Sequence, residues 1–141
     1  MADILHEAGI QTDAESLRKA LTEASGLQGW WSEDSVVEGQ GVGSVATITF
    51  YGGMAQFKLK VSELDEGKVV WEVIGGPPDW MGTTISWELI SSNGQPAVYL
   101  AHRGFASTEG NFASVNYNWG WYLTSMKRYL EEGTGTPHTG S

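Results

Sequence analysis

Cysteine is absent from the chain, which removes disulfides, thiolate nucleophiles and Cys-based zinc sites from consideration. Basic residues are scarce: 8 Lys and Arg stand against 17 Asp and Glu, a formal charge of −9. Such a surface repels phosphate backbones and anionic lipid, so neither nucleic acid nor membrane insertion is expected. No stretch approaches the roughly 18 consecutive apolar residues of a membrane-spanning helix. The opening MADILHEAG has neither a basic start nor an apolar run of signal-peptide type, and a cytoplasmic location is the expectation. Catalytic signatures are missing too: there is no G-x-S-x-G, no HExxH and no P-loop. The run GQGVGS at 39–44 has glycine spacing near a dinucleotide fingerprint, but it precedes the strand-like VATITF instead of opening a helix. No helix terminus is there to meet a phosphate, and the run reads as a loop and strand bend. No cofactor and no metal are expected.

What the chain does have is apolar and aromatic bulk, 40% and 11% of its residues, with seven Trp. That suits one folded domain, and 141 residues are too few for two well-buried cores. Residues 3 to 10 alternate so that Ile4, His6, Ala8 and Ile10 share one face of a strand. Thr12 and Glu15 have capping-box spacing ahead of an apolar stripe of Leu17, Ala20 and Leu21, which predicts a short helix. Gly26 and Gly29 are expected to break the chain before Trp30 and Trp31, of which only one can point inwards on a short helix. From Val36 to Arg103 the period is two: Phe57, Leu59 and Val61 oppose Lys58, Lys60 and Ser62, and Ile85, Trp87 and Leu89 oppose Ser86 and Glu88. By the same rule Trp71, Val73, Val98, Leu100 and His102 face inwards. Turn chemistry separates the runs at Asp65-Glu66-Gly67, Gly75 to Asp79 and Asn93-Gly94. Near residue 110 the period becomes helical, with Phe112, Val115, Trp119, Tyr122, Leu123, Met126 and Leu130 on one face. The polar tail 134–141 is expected to be disordered, leaving residues 1–133 as the domain.

The expected fold class is therefore α+β: a curved antiparallel sheet of six to seven strands around a long C-terminal helix, with one or two short helices after the first strand. A single helix laid across a broad curved sheet leaves volume to spare, so a cavity is expected.

The stretches HEAGIQTDAESLRKALTEASGLQGWW, TTISWELI, AVYLAHRGF and NWGWYLTSMKRYLEEG resemble the helix-grip superfamily of START-related lipid-transfer domains, polyketide cyclases and birch-pollen-type allergens. Within it the chain most resembles the stand-alone group named after the C-terminal domain of the activator of the ninety-kilodalton heat-shock protein ATPase. The resemblance covers roughly residues 4 to 133. It implies a seven-stranded sheet gripping the terminal helix, a pocket for an apolar or amphipathic ligand, and first and last strands side by side, which brings His6 and His102 towards each other. It does not bring the chaperone activity with it.

Three functions are open on these residues. In the first, a small-molecule binding module holds an apolar or aromatic ligand against Phe57, Trp71, Ile85, Trp87, Leu100, Trp119 and Leu123, with His6, His102 and Asn116 selecting polar groups. In the second, a cyclase- or hydrolase-type enzyme uses His102 or His6 as a base, oriented by Asp79 or Asp34. The plainer reading of both histidines is that they are wall residues hydrogen-bonded to their surroundings. The third is a co-chaperone-like interaction module. Gly120, costly inside a helix, shares a flank with Ala113 and Asn116 and is expected either to border the pocket mouth or to pack against the loop around Trp30. Tyr117, Trp121 and Arg128 fall on the far side of the helix, where an exposed indole suggests a homodimer contact.

Overall fold

Each element follows from a local pattern of apolar spacing and turn residues. The structure, a computed structural model, describes residues 1–139. In chain order it contains β1 (Ala2–Gly9), α1 (Ala14–Thr22), α2 (Ala24–Trp30), β2 (Asp34–Glu38), β3 (Val45–Phe50), β4 (Ala55–Asp65), β5 (Lys68–Gly75), β6 (Thr84–Ser92), β7 (Gln95–Phe105) and α3 (Phe112–Glu132). The strands form one antiparallel sheet in the order β1-β7-β6-β5-β4-β3-β2, so β1 lies beside the last strand and the other six run as a meander. Asn93 and Gly94, both in the left-handed region at φ 52° and 77°, close the β6–β7 hairpin in the two-residue turn that such dipeptides favour. Two register shifts in β4, at Lys58/Leu59 and Val61/Glu63, bend that strand as bulges do. The sheet curls around α3 as the helix-grip arrangement requires.

The start of α1 differs from the Thr12–Glu15 capping box. Asp13 is the N-cap, its carboxylate accepting the Ser16 N–H at 2.7 Å. A charged acceptor gains from the helix dipole as well as the hydrogen bond, which a Thr hydroxyl does not. Gly26 and Gly29 do not break the chain either; both lie inside α2, and the interruption falls at Glu23. Their role is close approach. A Cβ on Gly26 would sit 2.4 Å from the Lys19 carbonyl of α1, and one on Gly29 would sit 2.3 Å from the Tyr129 ring of α3.

Trp30 and Trp31 are both buried, at 0% and 3% exposure, against the expectation that one would meet solvent. Trp31 sits at the end of α2 with φ −108° and ψ −70°, so the 100° step between neighbours on a helix no longer separates the rings. They stack at 5.2 Å with 9° between planes. The cavity expected under α3 is largely occupied by rings of this kind: Trp71, Trp87 and Trp30 pack edge to face at 5.5 to 5.7 Å. The indole N–H groups of Trp71 and Trp87 are buried without acceptors, a cost of about 1–3 kcal/mol each that the area buried by such rings offsets.

On α3, Val115, Trp119, Leu123 and Met126 are buried, with Phe112, Tyr122 and Leu130 partly so. Gly133 ends the helix at φ 84° with its N–H on the Tyr129 carbonyl. Beyond it, the segment expected to be disordered is docked as far as His138. Thr136 N–H donates to the Ser125 hydroxyl at 2.7 Å, His138 N–H to the Trp31 carbonyl at 2.8 Å, and Glu33 N–H to the His138 carbonyl at 2.9 Å. The physical reason is a set of backbone groups left free at the end of α2 and a buried Ser125 hydroxyl, all of which need partners. Residues 140 and 141 lie outside the described residues.

Candidate functional site

His102 on β7 is fully buried, and both of its ring nitrogens are taken. Indole nitrogen can only donate, so the Trp119 Nε1–H bond to His102 Nδ1, at 3.0 Å, makes Nδ1 an acceptor. The ring proton therefore sits on Nε2 and points to the Thr83 hydroxyl at 2.9 Å, which in turn donates to the Trp80 carbonyl at 2.6 Å. Rings of Trp80 and Phe105 flank the imidazole at 4.6 and 4.5 Å. Burial lowers the pKa to about 3, which keeps the imidazole neutral. A ring sealed in this way does not meet a substrate as a base; it fixes Trp80 and Trp119. Neither Asp34, exposed at the start of β2, nor Asp79 hydrogen-bonds to it.

His6 is placed elsewhere. Antiparallel pairing sets His6 opposite Leu100 and His102 opposite Ile4, so the two histidines share a face but lie diagonally, and no hydrogen bond joins them. His6 Nε2 pairs with the exposed Asn116 Oδ1 at 2.9 Å. Gly120 completes this cluster: a Cβ there would meet only His6 Cε1, at 3.7 Å. The flank of α3 that carries Asn116 and Gly120 thus rests on β1, not on a pocket mouth and not on the loop at Trp30. Since 3.7 Å is ordinary contact, Gly120→Ala is expected to raise unfolding free energy by about 0.5–1 kcal/mol through helix propensity. Urea denaturation checks this, and a loss of stability would mean that β1 and α3 are closer than the structure has them.

The opening lies on the other flank of α3. A pocket of about 260 Å³ is walled by Phe50 and Phe57 from the sheet, Trp31 from the end of α2, Trp80 and Pro77 from the β5–β6 loop, and Val115, Trp119 and Tyr122 from α3. Asn111, Ser114 and Asn118 line its α3 side as the polar residues. Burial, and then the neighbouring Tyr51, raise the pKa of the Tyr122 hydroxyl, which therefore stays neutral. Tyr51 itself begins a tight turn with φ 53°, a strained value for a non-glycine residue. The docked tail holds it there: its N–H donates to His138 Nε2 at 3.2 Å and the rings lie 4.6 Å apart. A second depression of about 530 Å³ beside α1 is larger, but it is open and edged by Glu15, Arg18, Asp65 and Glu66, with little to hold a ligand.

Of the residues expected to line a cavity, the structure brings Phe57 and Trp119 to this pocket. Trp71, Ile85, Trp87, Leu100 and Leu123 are packed in the core. Sequence reasoning missed Trp31, Trp80 and Phe50. A signal existed for Trp80, because an indole inside the turn sequence GGPPDW has no strand to bury it and must find a neighbour.

On the outer face of α3, Tyr117 and Trp121 are 70% and 55% exposed, with Arg128 exposed beside them. No helix among the described residues is long and apolar enough to cross a membrane.

No protein-family model matches the chain, and a comparison with curated proteins gives no match. Solved structures do match. A solution structure of the Aha1 dimer from Colwellia psychrerythraea superposes with a TM-score of 0.81 at 35% identity, over 96% of this chain and 100% of that one. DynU16, from the dynemicin biosynthetic locus, has a TM-score of 0.71 at 16% identity, over 94% of this chain and 48% of DynU16. Ginseng major latex-like protein 151 from Panax ginseng has a TM-score of 0.69 at 14% identity, over 94% of this chain and 96% of that one. The last two show the fold alone.

Proposed function

We propose that this chain, which belongs to the Aha1 family of helix-grip proteins, is a small-molecule binding module whose ligand enters beside the first turns of α3. A helix-grip neighbourhood of this kind supports a ligand-binding or interaction module. The observation that carries the finer reading is the pocket of about 260 Å³ in which seven of the thirteen lining residues are aromatic. Its volume falls just under the roughly 300 Å³ where drug-sized sites begin, so the ligand is one ring or one compact head group. Binding buries apolar surface against Trp31, Trp80 and Trp119, while Asn111, Ser114 and Asn118 orient it. His102 serves as a positioning residue behind Trp80 and Trp119.

The Colwellia relative is described as a dimer, and the exposed Trp121 and Tyr117 give this chain a surface on which a second copy could pack. Native mass spectrometry of protein purified from its own host tests both parts. The expected spectrum shows a dimer carrying a discrete small adduct that is lost on denaturation, with Trp121→Glu shifting the dimer to monomer. A bare polypeptide mass, unchanged on adding single-ring compounds at millimolar concentration, would sink the binding reading.

A further inference from the structure

We infer that the pocket beside α3 selects an organic cation, a compact quaternary or protonated alkylammonium group, over neutral and anionic ligands. The inference rests on the reading of that pocket as a ligand site and adds the chemistry of the occupant. The walls are built from the rings of Trp80, Trp119, Tyr51 and Tyr122 together with an edge of Trp31, whose two faces stack on Trp30 and Trp71, and no Lys, Arg or His lines the pocket. A cation over such rings is drawn to their negative faces, most strongly by Trp, and aromatic enclosures of this kind suit quaternary ammonium groups, which need no hydrogen-bond acceptor. The polar atoms on the α3 side come from Asn111, Ser114 and Asn118, uncharged groups that can turn oxygens towards a cation without competing for it.

A carboxylate stands behind the wall. Asp79 lies between Pro77 and Trp80, both of which line the pocket. Its Oδ1 is buried with no hydrogen-bond partner, and none of the ion pairs among the described residues uses it. Its Oδ2 is 4.0 Å from where a Cβ on Gly110 would be, which places it just ahead of α3. The opposing influence is the N-terminus of α3, with no side-chain cap and no acidic residue in its first turn. A helix N-terminus carries about half a positive charge, smaller than the unit charge of a carboxylate. The Asp79 carboxylate next to that terminus offsets it, inside a chain of formal charge −9 that concentrates cations around itself. An anion is favoured only by the N-terminus of α3 and is opposed by the Asp79 carboxylate and by the net charge of the chain, while a neutral ring gains nothing from Asp79.

The test compares choline with its uncharged isostere, in which carbon replaces the ammonium nitrogen, at low ionic strength. Titration of the full chain is followed through tryptophan fluorescence and the indole N–H resonances of Trp80 and Trp119. Choline is expected to bind at least ~10-fold more tightly than the isostere, with the preference shrinking as salt is raised. Asp79→Asn, which keeps the side-chain shape, is expected to weaken choline ~3- to 10-fold and to leave the isostere unchanged. Equal or tighter binding of the isostere overturns the cation inference while leaving the pocket as a ligand site. Failure of both compounds to move either indole resonance overturns the pocket reading with it.

Discussion

Acidification from pH 7 to pH 4 is expected to remove about 3 kcal/mol of unfolding free energy through His102 alone. The ring's pKa is lowered from 6.5 to about 3 by burial, and nothing charged touches it: its neighbours are Trp80, Phe105, Trp119 and the Thr83 hydroxyl. Below pH 6.5 the unfolded chain binds a proton that the native chain refuses until about pH 3. The stabilisation is therefore complete above the unfolded value and is lost as pH falls towards the folded one, at up to about 1.4 kcal/mol per pH unit. Protonation also destroys the acceptor for Trp119 Nε1–H. Asp13 and Glu131, whose carboxyl pKa values are lowered by hydrogen bonds from Ser16 and Gln11, push stability in the same direction, so the wild-type slope is not by itself diagnostic. The diagnostic is His102→Gln, which retains an acceptor for the indole but cannot titrate. It should be less stable than wild type by about 2–4 kcal/mol at pH 7, with the gap closing towards pH 4. Urea midpoints measured across that range check it. Two curves that stay parallel would mean that His102 takes up its proton at the same pH in the native and the unfolded chain.

The sheet was legible in the sequence because its signals are local and redundant. Alternation placed Phe57, Leu59, Trp87 and Leu100 on the inner face, and Asn93-Gly94 marked a hairpin whose register runs through Ser92 opposite Gln95. The helical stripe of α3 was legible for the same reason. What was lost depended on distances between segments. Gly26 and Gly29 carry the same letter as a breaker, and only the approach of Lys19 and Tyr129 shows them to be packing residues. The tail after Gly133 is polar by composition, yet its backbone completes hydrogen bonds offered by Trp31, Glu33 and Ser125, which no composition reveals. The candidate site suffered most. Alternation says that a residue faces inwards, not whether the interior there is solid, and Trp71, Ile85 and Leu123 turned out to be filling while Trp31 and Trp80 formed a wall. His102 was found on the correct face, but its restraint by Trp119 and Thr83 needed the third dimension.

Trp31→Ala should be the most damaging single truncation in the domain, costing about 3–5 kcal/mol. The indole is held between Trp30 at 5.2 Å and Trp71 at 5.8 Å, with interplanar angles of 9° and 10°, and it meets Trp119 at 5.2 Å. Collapse of the surroundings normally softens such a loss. Here the rings on either side are pinned by other contacts: Trp30 Nε1–H is bonded to the Ala20 carbonyl at 2.7 Å, and Trp71 packs edge to face on Trp87. The void should persist, which argues for the upper half of the range. Because Trp31 also lines the pocket, that void opens into it, so the same substitution that weakens the fold should enlarge the ligand space by one bicyclic ring. Added indole is then expected to raise the midpoint of thermal unfolding of Trp31→Ala, by the equivalent of about 2.7 kcal/mol when its concentration reaches 100 times the dissociation constant, while leaving wild type nearly unmoved. A loss under about 1 kcal/mol without rescue by indole would show that the stack closes over the gap, and that the aromatic filling of the domain is softer than its interlocked rings imply.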